Sequence, residues 1–278
     1  MNWKIGKKLL YAVKVILIWI FAAIFFAPLL LVIVNSFKSK GEIMTSAISL
    51  PKSFYLNNFV TIVTESNFVS SFLTSLMVVT ITTTLTVLVA AMAGYSLAKW
   101  KNKVAGFLMT MIMCTLFVPF QVYMVAMIVV VKDLGLTGNL FGLIMVYVAL
   151  GMPVPIFLCR SYAVGMPKEI EEAAIIDGCS NWSMFFRIVL PLMKPILATV
   201  AVLNALWVWG EFLVAFLVYG NAKPMTLPLS QRYFYGTYSN QWNLILTNFL
   251  VSSIPVILFY IVMQKHIVKG ITAGAVKG

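Results

Sequence analysis

Acidic side chains are scarce: Asp and Glu together number eight in 278 residues, histidine occurs once, and cysteine three times. A membrane-embedded hydrolase needs paired acids, a Ser-Lys pair or a histidine-based cluster within the bilayer, and no such set occurs at a readable spacing. His266 has no acid or nucleophile beside it and reads as an interfacial polar residue at the end of the last apolar run. Cys114, Cys159 and Cys179 form neither a disulfide framework nor a metal-ligand spacing. The phosphate-cradling pattern G-x-x-x-x-G-K-[ST] is absent as well, so the chain does not hold a nucleotide in the usual way. No cofactor or metal site is expected within it.

What is present is apolar. Hydrophobic residues make up 62% of the chain and charged residues 10%, and the mean hydropathy is +0.98, far from the balance of a soluble domain. A helix needs about 20 mostly apolar residues to cross the hydrocarbon layer. Six runs qualify, at about 11–34, 69–97, 104–131, 138–159, 196–218 and 243–264. The expected protein is all-α and polytopic, a single transmembrane domain over 1–278 with its core at about 69–264. The first run follows Lys4, Lys7 and Lys8, yet its apolar core is too long for a signal peptide and no small-x-small cleavage pattern follows, so it reads as an anchor.

The net charge of +12 is not gathered on a soluble patch, which argues against nucleic acid. It follows topology instead. With a cytoplasmic N-terminus, 14 of the 20 Lys and Arg residues fall on inner segments and 6 on outer ones. The positive-inside rule therefore puts both termini in the cytoplasm of a multi-pass cell-membrane protein.

The inner segment 160–195 is different in kind. Pro167 stands where a helix begins, and Glu169, Glu171 and Glu172 fall in the first turn, where they complement the helix dipole. Gly178 ends that helix, Ser180 or Asn181 caps a second one through Ile188, and Pro191 and Pro195 close it. This helix-turn-helix is either an amphipathic pair resting on lipid or an element that docks a partner. The acids weigh against anionic lipid, and the pair Ala173-Ala174 permits close approach.

Glu172-Ala173-Ala174, Gly178, Ile188 and Leu190-Pro191, at these spacings, resemble the EAA loop of permease subunits of bacterial ABC importers. Asp177-Gly178 and the stretch from Pro191 to Pro195 resemble the carbohydrate branch. The likeness continues through Gly94-Tyr95, Pro119, Leu134-Gly135-Leu136, Pro153, Thr226-Leu227-Pro228 and Pro255. The C-terminal residues 270–278 are similar to the tail of the smaller maltose-type permease subunit.

The resemblance implies a type I importer permease fold and transport by alternating access, with no covalent chemistry in this chain. It implies a second permease subunit, two ATPase subunits that bind ATP and Mg, and an extracytoplasmic sugar-binding protein. Glu172 would be the polar contact to the ATPase, Ala173 and Ala174 the close-packed face, and Gly178 the turn setting its angle. The tail, with Thr272, Ala273, Gly274 and Lys277, would reach toward the ATPase dimer.

Ionisable groups inside an apolar run are functional suspects. In the fifth run Asn204, Trp207 and Glu211 fall at i, i+3 and i+7 and share one helical face. A polar and aromatic stripe suits a sugar, which stacks on a ring and hydrogen-bonds through its hydroxyls. The same face could instead pack on the partner permease. Gln121 and Asn248, the latter at i, i+4 with Ser252, are further candidates. The aromatics of 219–242 read either as an interfacial belt or, by the resemblance, as a contact for the binding protein. An ion-coupled transporter, with Glu211 as its coupling group, and an ABC permease for another solute are the alternatives.

Overall fold

The computed structural model describes the backbone of residues 2–275 apart from 66, 101 and 237–239, and the side chains between residues 10 and 264. Among these residues all regular structure is helical, as the hydrocarbon layer demands of a chain whose N–H and C=O groups find no water there. The N-terminal part holds α1 (Asn2–Ser36), α2 (Lys40–Thr45), α3 (Asn57–Glu65) and α4 (Phe68–Lys99). Next come α5 (Lys103–Cys114), α6 (Phe120–Asp133), α7 (Leu140–Gly151) and α8 (Pro153–Val164). The loop segment forms α9 (Lys168–Ile176), α10 (Asn181–Met184), a π turn at Phe185–Val189 and α11 (Leu190–Leu192). The chain ends with α12 (Lys194–Gly210), α13 (Leu213–Val218), α14 (Leu227–Ser230) and α15 (Trp242–Ala275).

Three helical stretches are long and apolar enough to cross alone: Leu10–Ser36, Phe68–Lys99 and Trp242–Gln264. Three bent helix pairs qualify jointly, which brings the possible crossings to six.

Three of the six candidate spans are broken. Over 104–131 the chain bends by 108° between Lys103–Phe117 and Phe120–Asp133. Val118, next to Pro119, takes φ −90° and ψ 115°, because the proline ring drives its predecessor out of the helical region. The next pair bends by 49° at Met152, where Pro153 supplies no N–H to the helix before it. The third pair is Asn181–Leu192 with Lys194–Gly210, bent by 75°. In the fifth run the helix stops at Gly210, and Glu211 is extended at φ −77° and ψ 119°.

The chain divides into two compact units, one of residues 1–69 and 230–254, the other of 70–229 and 255–278. In the first, Ile62, Phe234, Leu244 and Ile245 form a small apolar core. Beside it the Asn58 amide donates to the carbonyls of Ser36 (2.9 Å) and Lys38 (2.8 Å) and accepts from Asn243 Nδ2 (2.7 Å). Fully buried Lys38 spends its ammonium on Asn35 Oδ1 and the Ser46 carbonyl, at 3.0 and 3.1 Å.

The second unit has two apolar cores. One joins Ala90, Ala91 and Leu97 of α4 to Cys159 of α8, Ala174 of α9, Phe185 and Val200. The other joins Val78 of α4 to Leu143 and Tyr147 of α7, Val208 of α12 and Ala215 of α13. Helices α4 and α12 run through both. At Gly94 an added Cβ would sit 2.6 Å from Cys159 Cβ and 2.8 Å from the Arg160 nitrogen, so only glycine allows α4 and α8 to cross this closely.

Candidate functional site

A cavity of about 610 Å³ opens in the second unit between α6, α7, α8, α12 and α13. Its polar and aromatic wall is made by Gln121, Tyr123, Asn204, Trp207 and Glu211. Four of the residues singled out from the sequence therefore come together. Asn248 does not join them; it is fully buried in the other unit, where its Oδ1 accepts from Ser252 at 3.3 Å.

The shared face arises differently from the continuous helix expected. Asn204 and Trp207 lie on α12, whereas Glu211 stands just beyond its end. The Glu211 carboxylate Oε2 accepts from the backbone N–H of Val214 (2.8 Å) and of Ala215 (3.4 Å), both in the first turn of α13. An acid at a helix start satisfies N–H groups that have no partner within the helix and meets the positive end of its dipole. Gly210, a poor helix former, and this capping acid together explain why the run breaks here.

Tyr147 of α7 completes the arrangement. Its hydroxyl lies 3.4 Å from Glu211 Oε2 and 3.3 Å from the Glu211 carbonyl, and its ring meets Trp207 edge-on at 5.7 Å between centroids. Behind Trp207, Asn204 Oδ1 accepts from the Thr83 hydroxyl of α4 at 3.1 Å. A Cβ on Gly151 would lie 2.8 Å from Asn204 Nδ2 and 3.2 Å from the Trp207 ring, so α7 packs directly on this pair. Sequence reasoning passed over Tyr147, Tyr123 and Thr83. The signal for Tyr147 was a lone hydroxyl in the otherwise apolar stretch 140–151, since a buried tyrosine usually finds a polar partner.

The loop forms a second candidate site. Helix α9 starts after Pro167, with Glu169 and Glu171 in its first turn, and ends at Asp177. Gly178 takes φ +77°, the left-handed conformation that closes helices and that glycine adopts without strain. Ser180 caps α10 by accepting from the Ser183 nitrogen at 3.3 Å.

Two details differ from expectation. Pro191 does not stop the second arm, because the π turn at Phe185–Val189 re-pairs the backbone and carries the chain on to Leu192. Ala174 faces inward, 3% exposed, in the chain's own core. The outward side of α9 is instead Glu172, Ala173, Ile175 and Ile176, the last 85% exposed. In the second arm Trp182, 68% exposed, stacks on Phe186 at 5.9 Å, while Ile188 and Leu190 pack partly inward and Pro191 is exposed.

Helix α15 continues to Ala275, so Thr272, Ala273 and Gly274 lie on helical backbone, and Lys277 falls outside the described residues. The segment Thr226-Leu227-Pro228 is tucked in, with Leu227 fully buried and its N–H bonded to Ser75 Oγ at 2.7 Å.

Residues 87–273 match the family model described as binding-protein-dependent transport system inner membrane component. The chain belongs to that family. The matched part takes in the loop helices and every residue of the cavity wall named above. Among relatives of this permease, a probable starch degradation products transport system permease protein of Thermoanaerobacterium thermosulfurigenes is 34% identical, covering 94% of this chain and 93% of the relative. An arabinooligosaccharides transport system permease protein of Halalkalibacterium halodurans is 33% identical over 93% and 92% of the two chains. The multiple sugar-binding transport system permease protein of Streptococcus mutans is 31% identical over 98% and 99%. The permease also shares its fold with a chain of a bacterial ABC transporter that imports the acidic polysaccharide alginate, with a TM-score of 0.78, 20% identity, and coverage of 94% and 97%.

Proposed function

We propose that this permease forms half of the membrane pathway of an ATP-driven importer for a sugar or oligosaccharide, and that the substrate passes the cavity walled by Asn204, Trp207 and Glu211. The cavity carries the reading. Trp207 and Tyr123 offer faces for the apolar side of a pyranose or furanose ring, and Gln121, Asn204 and Glu211 offer partners for its hydroxyls. The relatives named for starch products, arabinooligosaccharides and multiple sugars support a carbohydrate.

The chain performs transport rather than covalent chemistry. Hydrolysis of ATP, with its Mg ion, belongs to two separate ATPase subunits, one of which docks on the loop. Glu172, Ala173, Ile175 and Ile176 present the docking face, with Trp182 and Phe186 of the second arm adding apolar surface. Gly178 sets the angle between the arms, and Asp177 flanks it. Thr272, Ala273, Gly274 and Lys277 of the tail are further contacts for the ATPase pair. A second permease subunit supplies the other half of the pathway, and an extracytoplasmic binding protein delivers the sugar. Both termini lie in the cytoplasm, in keeping with the excess of Lys and Arg on those segments.

Co-expression with the products of the neighbouring genes, followed by purification in mild detergent, tests this. The expected complex contains an ATPase that shields half-buried Cys179 from a water-soluble maleimide, and cells expressing it accumulate radiolabelled maltotetraose or arabinotriose. Trp207→Ala and Asn204→Ala lower that uptake and leave the ATPase bound. Uptake by the chain alone, with Cys179 freely labelled, would overturn the reading in favour of an ion-coupled transporter.

A further inference from the structure

The proposed docking loop is attached to the rest of the second unit by more than its covalent ends. Glu171, one residue before Glu172, turns away from the outer face of α9 and pairs with Lys99 at the last turn of α4, its side chain only 12% exposed. The Lys99 ammonium also lies over the Tyr95 ring, 5.4 Å from its centre. The Tyr95 ring in turn packs against Phe185 of the second arm, with 5.6 Å between ring centroids. One helix end thus grips both arms of the loop.

That helix end is itself held firmly. Gly94 lets α8 press against it, and Arg160 Nε donates to the Leu97 carbonyl at 3.4 Å. From there α4 runs without a proline to Thr83, which donates to Asn204 in the cavity wall. The two ends of this stretch lie about 24 Å apart at ~1.5 Å per residue. A hydrogen-bonded helix transmits an axial or tilting displacement over that length as a nearly rigid body.

We propose that the Glu171–Lys99 pair is a latch through which displacement of the docking loop is carried by α4 to the Asn204 and Trp207 wall of the cavity. The inference rests on the functional reading above, in which an ATPase moves the loop. It assigns the two neighbouring glutamates different work: Glu172 faces the partner, and Glu171 is a positioning residue that faces α4. Because Glu171 is largely enclosed, removing Lys99 strands its charge, whereas exchanging the two keeps the attraction.

The test uses the purified complex with an added cysteine at Leu203, which lines the cavity. In the wild-type complex, ATP changes the rate at which this cysteine reacts with a maleimide. Lys99→Glu and Glu171→Lys, and more mildly Glu171→Gln, retain the ATPase and its hydrolysis but weaken the ATP response about tenfold. The double exchange Lys99→Glu/Glu171→Lys restores it, which a general loss of stability would not allow.

Single variants that respond to ATP as the wild type does, or a double exchange that fails to restore the response, overturn the latch alone. Single variants that lose the ATPase overturn it in favour of a direct docking role for Glu171. A wild-type complex that gives no ATP response overturns it too. A wild-type permease that binds no ATPase overturns the functional reading and the latch with it.

Discussion

The Tyr147 hydroxyl lies within hydrogen-bond reach of both the carboxylate and the main-chain carbonyl of Glu211, so one phenol holds the residue at which the fifth apolar run breaks. Glu211 is first of all a helix cap, through Val214 and Ala215. Glu211→Ala is expected to lower stability by about 1–2 kcal/mol. Glu211→Gln keeps an oxygen acceptor and loses less. Tyr147→Phe removes one hydrogen bond, about 1 kcal/mol, and leaves the ring packed on Trp207. Thermal midpoints of the purified protein rank the three variants; equal losses for Ala and Gln would refute the capping role.

Gly151 and Gly106 make a matched pair. A methyl at Gly151 meets Asn204 and Trp207, while one at Gly106 meets nothing within 4 Å. Gly151→Ala should cost about 1–3 kcal/mol through overpacking and reduce sugar uptake by displacing the cavity wall. Gly106→Ala, within α5, should be neutral or stabilising by about 0.5–1 kcal/mol. Denaturation in detergent and uptake in cells, measured on both, check the contrast.

Gly178 has open space around it yet a φ of +77°. The penalty for a side chain there is therefore conformational, about 1–2 kcal/mol for Gly178→Ala. Asparagine tolerates this region better than alanine does, so Gly178→Asn should retain more of the co-purifying ATPase than Gly178→Ala. The amount of ATPase recovered per permease reads the difference, and the reverse order would show that bulk rather than backbone conformation matters.

Two buried hydrogen-bond sites fix loops to helices. Ser75→Ala removes the hydroxyl that accepts from the enclosed Leu227 N–H, at about 1 kcal/mol. Asn58→Ala removes the bonds to Ser36, Lys38 and Asn243 together, and its loss should exceed that of Ser75→Ala. Stability curves measured side by side give the order.

The loop was legible because its signals are local. Pro167, the first-turn acids, Gly178 and Ser180 act on their own backbone within a few residues, and α9 begins and ends, and α10 begins, as those residues dictate. The direction in which Ala174 points was not legible. A small residue suits a partner's surface and a tight interior equally, and only the enclosure of Ala174 in the core that also holds residues of α4 and α8 decides between them. Glu171 and Glu172 are likewise indistinguishable as letters, and their opposite surroundings come from the position of Lys99.

The sequence by itself determined that this chain is helical and lies in a membrane, because about 20 apolar residues in a row have no other stable solution in hydrocarbon. It also marked Asn204, Trp207, Glu211 and Gln121 as polar or aromatic groups in apolar company. Tertiary structure decided that they line one cavity, that Asn248 belongs elsewhere, and that Glu211 caps a second helix instead of continuing the first. The physical reason is range. Backbone hydrogen bonding and hydropathy act between near neighbours in the chain, whereas the meeting of Thr83 with Asn204, or of Tyr147 with Glu211, depends on how separate helices pack.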